Sequence, residues 1–441
     1  MSAISTPAGS IAPLSHERGQ RAKAIAAITL GNGLEFFDFT VYSFFASLIG
    51  AQYFPVHGSL NQLLFAVGSF GVGFFMRPLG GVVIGAYADR AGRKAAMTLT
   101  LSLMAIGSAI IAFAPTYATI GIAAPMLIVL SRLIQGFAVG GEVGASTAML
   151  LEYANGRTRG FYGSWQYVSQ ALNAVCGALL GLALSALLSR HALESWGWRV
   201  PFVLGMLVAP VGIYIRRHLD ETLHDEHSKT GQAQAEAPMH PLRELLVRHP
   251  LGLLAGVVTT IGGTAANYIV LFYIATYSIK ILGLPMSVGM GAALVAALVT
   301  AVCSPLAGSL SDRVGRKWVM GVSRVLLILV IYPAFMAIHA SPTVSTVLSV
   351  VGGLGVLVAF TAVPNIVLLP ELFPRHLRVT GMSVVYSVGV AIFGGFAQFF
   401  ATLLIKLLDD QTAPAWYLIG CGVVSLLIFP WIDEPAGRPL D

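Results

Sequence analysis

Residues Gly85 to Lys94 read GAYADRAGRK and residues Gly308 to Lys317 read GSLSDRVGRK, sharing Gly, Asp, Arg, Gly, Arg and Lys at the same offsets. Each stretch lies between the second and third apolar runs of its half of the chain. Six matched positions in equivalent loops predict a duplicated half of the kind found in membrane folds built from parallel repeats.

The apolar runs on either side carry the same message. The chain has 441 residues, 56% hydrophobic and only 10% charged, against a usual charged share of roughly 25%. Mean hydropathy is +0.78. Runs longer than about 18 residues recur, each able to cross a hydrocarbon core of about 30 Å as a helix. The 48 glycines suit helices whose backbones approach closely in lipid. The expected spans are 24–50, 61–88, 96–114, 121–150, 161–188 and 199–216, then 251–279, 286–307, 318–338, 343–370, 379–406 and 414–432. This is an all-α membrane protein of twelve transmembrane helices in two six-helix bundles, 24–216 and 251–432. A polar linker (217–250) joins the bundles, with an N-terminal tail (1–23) and a C-terminal tail (433–441).

Charge sets the orientation. With both termini inside, nineteen of the 26 Lys and Arg fall in cytoplasmic segments, four (Arg190, Arg199, Lys280, Lys406) face the other side, and Arg77, Arg132 and Arg324 remain within spans. The positive-inside rule therefore predicts cytoplasmic termini. The net charge of +6 is spread over short loops rather than one basic face, so no nucleic-acid partner is expected. The first 23 residues lack an apolar core with a small-residue cleavage site, and no cleavable signal is expected. Cys176, Cys303 and Cys421 lie in apolar segments and read as packing residues. His218, His224, His227, His240 and His249 are irregularly spaced, and no metal site is expected. No glycine-rich stretch is followed by Lys-Ser or Lys-Thr, so neither a nucleotide nor another cofactor is implied.

The repeated G-x-x-x-D-R-x-G-R-K loop resembles the signature of the major facilitator superfamily, and the resemblance covers nearly the whole chain. Further stretches look like its metabolite:proton symporter branch, which includes carriers of citrate, oxoglutarate, shikimate and betaine. They are GNGLEFFDF from Gly31, RPLGG from Arg77, RLIQGFAVGGEVG from Arg132, WGWRVPF from Trp196 and ELFPRHLRVTG from Glu371. The drug-antiporter glycine-proline stretch is replaced by GALLG at Gly177 to Gly181, and the sugar-porter P-E-S-P-R by IRRHLDET at Ile215 to Thr222. The short segment after the last span argues against the coiled-coil tail of osmosensing betaine carriers. The resemblance implies a bacterial inner-membrane protein that works by alternating access with the proton as coupling ion, and a monomer is expected.

Ionisable residues inside spans are expensive and usually functional. Glu35 and Asp38 in the first span and Arg132 in the fourth can share a depth near the midplane. The expectation is that Glu35 or Asp38 carries a proton, that Arg132 gates its release, and that an anionic substrate competes for Arg132 or Arg77. The competing reading has these charges only holding helices together. Gln166, Gln170 and Asn173 recur at i, i+4 and i+7 on one face of the fifth span. With Asn267, Tyr268 and Tyr273 of the seventh span and Tyr386 and Gln398 of the eleventh they are candidate substrate contacts, or else interhelical glue. By resemblance, Asp89 and Asp312 form a latch at a neighbouring helix N-terminus with Arg90, Arg93, Arg313 and Arg316, and Glu142 belongs to a structural gate.

Two arginines beside amides favour a small organic anion: a mono-, di- or tricarboxylate taken up with protons. One alternative is a zwitterion such as betaine or proline, held in an aromatic box that Phe36, Phe37 and Tyr42 would supply. Another is a membrane receptor that binds a metabolite without moving it. An enzyme is disfavoured, because no nucleophile stands with a base or metal cluster at a shared depth.

Overall fold

The computed structural model describes residues 14–91, 93–140, 142–207, 210, 241–374, 377–434 and 436–437. Helices account for almost all of them, and among the described residues there is no strand. The membrane-crossing elements in the first half are α1 (Ile28–Tyr53), α2 (Ser59–Gly85), α3 (Ala95–Phe113), α4 (Ala123–Val139 with Glu142–Glu152), α5 (Arg159–Leu187) and α6 (200–207). The second half has α7 (Pro250–Lys280), α8 (Met286–Val314), α9 (Arg316–Ala340), α10 (Val344–Glu371), α11 (Thr380–Leu408) and α12 (Pro414–Trp431). Ten of the twelve are long and apolar enough, taken singly, to cross a membrane. The end of the sixth expected span, at 211–216, and the linker up to 240 lie outside the described residues.

The fourth span, expected over 121–150, is seen as Ala123–Val139 and Glu142–Glu152, with Gly140 still in helical φ/ψ and residue 141 outside the described residues. Two departures from the expected spans have local causes. The helix containing α1 begins at Leu14, ahead of the expected start at 24, because Glu17, Arg18, Gln20, Arg21, Ala22 and Lys23 are good helix formers. The end of the linker folds as a short helix, Pro241–Arg248, that buries Leu245 and exposes Leu246 and Val247.

Glycines draw α2 and α4 together. Gly136 and Gly140 form a G-x-x-x-G face on α4; Gly136 lies against the Gly73 carbonyl and Gly140 against the Arg77 carbonyl of α2. Backbones can approach this closely only where Cβ atoms are absent. The crossing carries Arg77 and Arg132 into the interior. The two halves touch toward both faces of the membrane. At the signature-loop face, Gly160 of α5 packs on Gly308 of α8; toward the opposite face Gly181 meets Met290, and near mid-span Gly71 of α2 meets Phe396 of α11. Helices α7 and α11 each contain a π-helical segment, Tyr268–Tyr273 and Ala391–Gly395, and Gly394 packs against Tyr268. Such segments cluster at functional sites.

Candidate functional site

The centre is built around guanidinium groups. Arg77 enters from α2 and lies over Phe74, 3.8 Å from the ring centroid, and over Phe39 at 5.0 Å. Its Nε and Nη2 have no hydrogen-bond partner among the described residues. Tyr268 and Tyr386 stand within electrostatic range of it, across the interface between the halves. Arg132, from α4, is 0% exposed and rests on the Tyr42 ring at 4.3 Å. None of its three guanidinium nitrogens has a hydrogen-bond partner among the described residues. Ring faces supply some attraction to a cation, but a buried guanidinium has five donors to satisfy.

Asp38 is buried one turn beyond Glu35 on α1. Its Oδ2 accepts from Ser108 Oγ of α3 and from Gln135 Nε2 of α4 at 3.2 Å, and Gln135 also donates to Ser108 Oγ at 3.1 Å. Asp38 Oδ1 has no hydrogen-bond partner among the described residues. Arg132 is close enough to act on Asp38 through space, yet the carboxylate is held by Ser108 and Gln135 and makes no ion pair with Arg132. The backbone of Glu35 runs in α1; its side chain lies outside the described residues, so the expected pairing of Glu35 with Arg132 is outside the description too.

The amide stripe of α5 divides in two. Gln166 donates to Asn32 Oδ1 at 3.0 Å and accepts from Ser146 Oγ at 3.1 Å, while Asn173 donates to the Gly33 carbonyl. Both tie α5 to α1 and α4 within one half. Gln170 alone of the three looks across: its Oε1 accepts from Asn267 Nδ2 of α7 at 3.5 Å, and Gln170 Nε2 and Asn267 Oδ1 have no hydrogen-bond partner among the described residues. Tyr386 stands near Gln170 and Arg77. The face turned to the other half is thus Arg77, Gln170, Asn267, Tyr268 and Tyr386. Gln398 and Tyr273 sit further toward the opposite face, where Gln398 Nε2 donates to Ser43 Oγ at 2.7 Å and the Tyr273 hydroxyl meets Thr402 Oγ1 at 2.8 Å.

At the signature-loop face, Asp312 accepts from the backbone N–H of Gly160 at 2.8 Å and of Phe161 at 3.0 Å, the first turn of α5. Arg316 pairs with Asp312 at 2.7 Å and reaches Glu371 at 3.4 Å; Glu371 also pairs with Arg159 at 3.2 Å. A carboxylate at a helix N-terminus meets unpaired N–H groups and the positive end of the dipole. Arg313 and Arg90 are exposed and take no described part: Arg313 follows Asp312 by one residue and so points about 100° away around α8, whereas Arg316 restarts the chain after Gly315. The side chains of Asp89, Arg93 and Glu142 lie outside the described residues.

The chain matches the model of the Major Facilitator Superfamily over residues 28–301 and 291–440. It is a member of that superfamily. It is 35% identical over 409 residues to the citrate-proton symporter of Klebsiella pneumoniae, covering 93% of this chain and 91% of that one. It is 34% identical to the alpha-ketoglutarate permease of Escherichia coli, covering 94% of each, and 32% identical to the proline/betaine transporter of Salmonella typhimurium, covering 96% of this chain and 85% of the relative. A crystal structure of a D-xylose-proton symporter superposes with a TM-score of 0.73 over 95% of this chain at 17% identity. The fold is therefore the twelve-helix facilitator fold, and the superfamily and these relatives are transporters rather than enzymes.

Three residues of this superfamily member were not singled out in its sequence. Glu371, quoted only as the start of a motif, joins Arg159 of one half to Arg316 of the other. Glu434, beyond the last span, accepts from the Arg316 and Lys317 N–H groups at 2.8 and 2.9 Å and so caps α9. Arg324, buried in α9, was visible as an intramembrane charge but had no sequence neighbour to give it a role.

Proposed function

We propose that this chain is a proton-coupled symporter of a small organic anion, a mono-, di- or tricarboxylate, working by alternating access as a monomer in a bacterial inner membrane with both termini cytoplasmic. One observation carries the reading: Arg77, Arg132 and Arg324 are buried with guanidinium nitrogens that have no hydrogen-bond partner among the described residues. The sequence offers only Glu35 and Asp38 to balance these three cations near the midplane. Buried charge left unpaired is strongly unfavourable, and an anionic substrate is the missing counter-charge. Two relatives bear the names of a citrate-proton symporter and an alpha-ketoglutarate permease, which agrees with a carboxylate.

In this reading Asp38, alone or with Glu35, carries the proton, with Ser108 and Gln135 orienting the carboxyl and Arg132 sensing its charge. Arg77, Gln170, Asn267, Tyr268 and Tyr386 hold the substrate between the halves. Asp312, Arg316, Glu371 and Arg159 close the signature-loop face, Asp89 and Arg93 are assigned to its other side by the repeat, and Glu142 is assigned to a structural gate. Relatives also include a proline/betaine transporter, but a quaternary ammonium needs free ring faces. Here Phe36 lies 5.7 Å from the Arg77 guanidinium and Tyr42 lies 4.3 Å from that of Arg132, so the protein's own cations already occupy that box.

The test is uptake into liposomes of labelled lactate, succinate, citrate, betaine and proline, with and without an inward proton gradient. Gradient-driven accumulation of a carboxylate is expected. Accumulation of betaine or proline instead would overturn the anion reading, and binding without uptake would return the receptor alternative.

A further inference from the structure

The carboxyl of Asp38 is enclosed by three helices of its own half: α3 through Ser108, α4 through Gln135 and α6 through Gly205. Both hydrogen bonds fall on Oδ2. Oδ1 is covered by the backbone of Gly205, buried in α6, where an added Cβ would collide with Oδ1 and lie 3.1 Å from Cγ. A second glycine shapes the same niche. Gly107 of α3 lies against the side chain of Gln135, where an added Cβ would stand 2.9 Å from Cδ and 3.1 Å from Nε2. The carboxyl is thus gripped on one oxygen and bare on the other.

That asymmetry suits a group that passes between two charge states. When a proton binds Oδ1, an O–H bond forms there and the negative charge is lost, while Oδ2 becomes the carbonyl oxygen and still accepts from Ser108 and Gln135. Release of the proton reverses the step without moving either donor. A hydrogen-bonding side chain at position 205 would instead donate to Oδ1 and hold the charged form. Glycine offers only C–H groups there, and an O–H without an acceptor costs less than a buried unpaired charge. From α4 the charged residue facing the carboxyl is Arg132; α3 and the described part of α6 contain no charged or titratable residue. On α1 itself Tyr42 follows one turn later and bonds to Ser69, and the side chain of Glu35, one turn earlier, lies outside the described residues.

We propose that Gly205 is a positioning residue for the proton: its missing side chain leaves Oδ1 of Asp38 clear of donors and seats Oδ2 on Ser108 and Gln135. This rests on the assignment of the proton to Asp38 and goes on to name the oxygen that takes it. The atoms that an alanine at 205 would press on are those of the Asp38 carboxyl, not the α1 backbone. The carboxyl then rotates off its donors while the helices stay packed.

The test is infrared difference spectroscopy of the full-length protein in liposomes across a pH series, in wild type, Asp38→Asn and Gly205→Ala, with melting curves alongside. The carbonyl stretch of a protonated carboxyl that D38N lacks belongs to Asp38. In G205A that band is expected to change frequency and its pH midpoint to move by about one unit or more, the size of one lost hydrogen bond to a carboxylate. Looser helix packing alone would move neither. The double variant D38A/G205A covers the case in which G205A does not fold: with the carboxyl gone the alanine has room, and the protein is expected to melt within about 3 °C of D38A. An Asp38 band of unchanged frequency and midpoint in folded G205A, or a double variant that fails to fold where D38A folds, overturns the proposal and leaves Asp38 as the proton carrier. A wild type with no titrating band that D38N removes overturns both.

Discussion

Asp312 at the end of α8 accepts a hydrogen bond from the backbone N–H of Gly160, the second residue of α5, at 2.8 Å. The two residues belong to different halves, so a side chain of one bundle caps a helix of the other. Charge-assisted bonds of this kind are each worth roughly 1.5–3 kcal/mol, and under the proposed gating role this one is lost when the signature-loop face opens. Asp312→Asn is expected to shift the population toward an open signature-loop face and to slow uptake by about tenfold or more, with substrate affinity preserved. Labelling of a cysteine placed at Ser164, with and without the substitution, measures the opening.

Glu371 receives Arg159 and Arg316 with a side chain only 1% exposed. Removing the acid takes one ion pair from Arg159 and one from Arg316, which keeps Asp312; breaking a buried pair costs about 3–5 kcal/mol. Glu371→Gln should lower the melting temperature markedly. The double variant E371Q/R159Q should recover part of it, and additive losses would show that the pair does not act as a unit.

Gly315 has φ +113° between α8 and α9, and an added Cβ would lie 2.7 Å from Glu434 Oε2. Both effects oppose a side chain here. Gly315→Ala is expected to destabilise by about 1–3 kcal/mol and to loosen the cap that Glu434 places on α9. Glu434→Gln should weaken the cap without the backbone penalty, so thermal melts of the two variants separate strain from capping.

Asp38 is the acid assigned to the proton, and Ser108 and Gln135 hold it. Asp38→Asn is expected to abolish gradient-driven accumulation while substrate exchange across liposomes continues. Ser108→Ala, which leaves the carboxyl and removes a donor, should retain accumulation but change its pH profile. Full accumulation in D38N would move the proton to Glu35 or elsewhere.

Much of the architecture could be read before any coordinates, because crossing a bilayer demands long apolar runs and the duplicated loop marks equivalent places in each half. What escaped has a common physical origin in geometry that no short window contains. The π-helical segments at Tyr268 and Ala391 shift side-chain register without changing hydropathy. Gln166, Gln170 and Asn173 share a face, but only the packing of α1 against α5 decides that two of them are used locally and Gln170 looks across. Arg313 and Arg316 are equivalent in charge, and only the turn at Gly315 decides which is buried. Glu371, Glu434 and Arg324 act through partners 55 to 212 positions away, or through donors left empty. The repeat pointed to Asp312; the helix that it caps had to be seen.

The surplus of buried guanidinium groups bears on how such a machine avoids slippage. A symporter wastes its gradient if it reorients with a proton and no cargo, or with cargo and no proton. Sealing a dry centre around unneutralised cations is strongly penalised, and a protonated Asp38 makes the imbalance worse by one charge. The proton-loaded, substrate-free form is thus the one least able to close, and the arriving anion restores neutrality. In the proposed mechanism the arginines therefore do more than attract substrate: they hold back the uncoupled leak by making an empty, protonated carrier too charged to turn over.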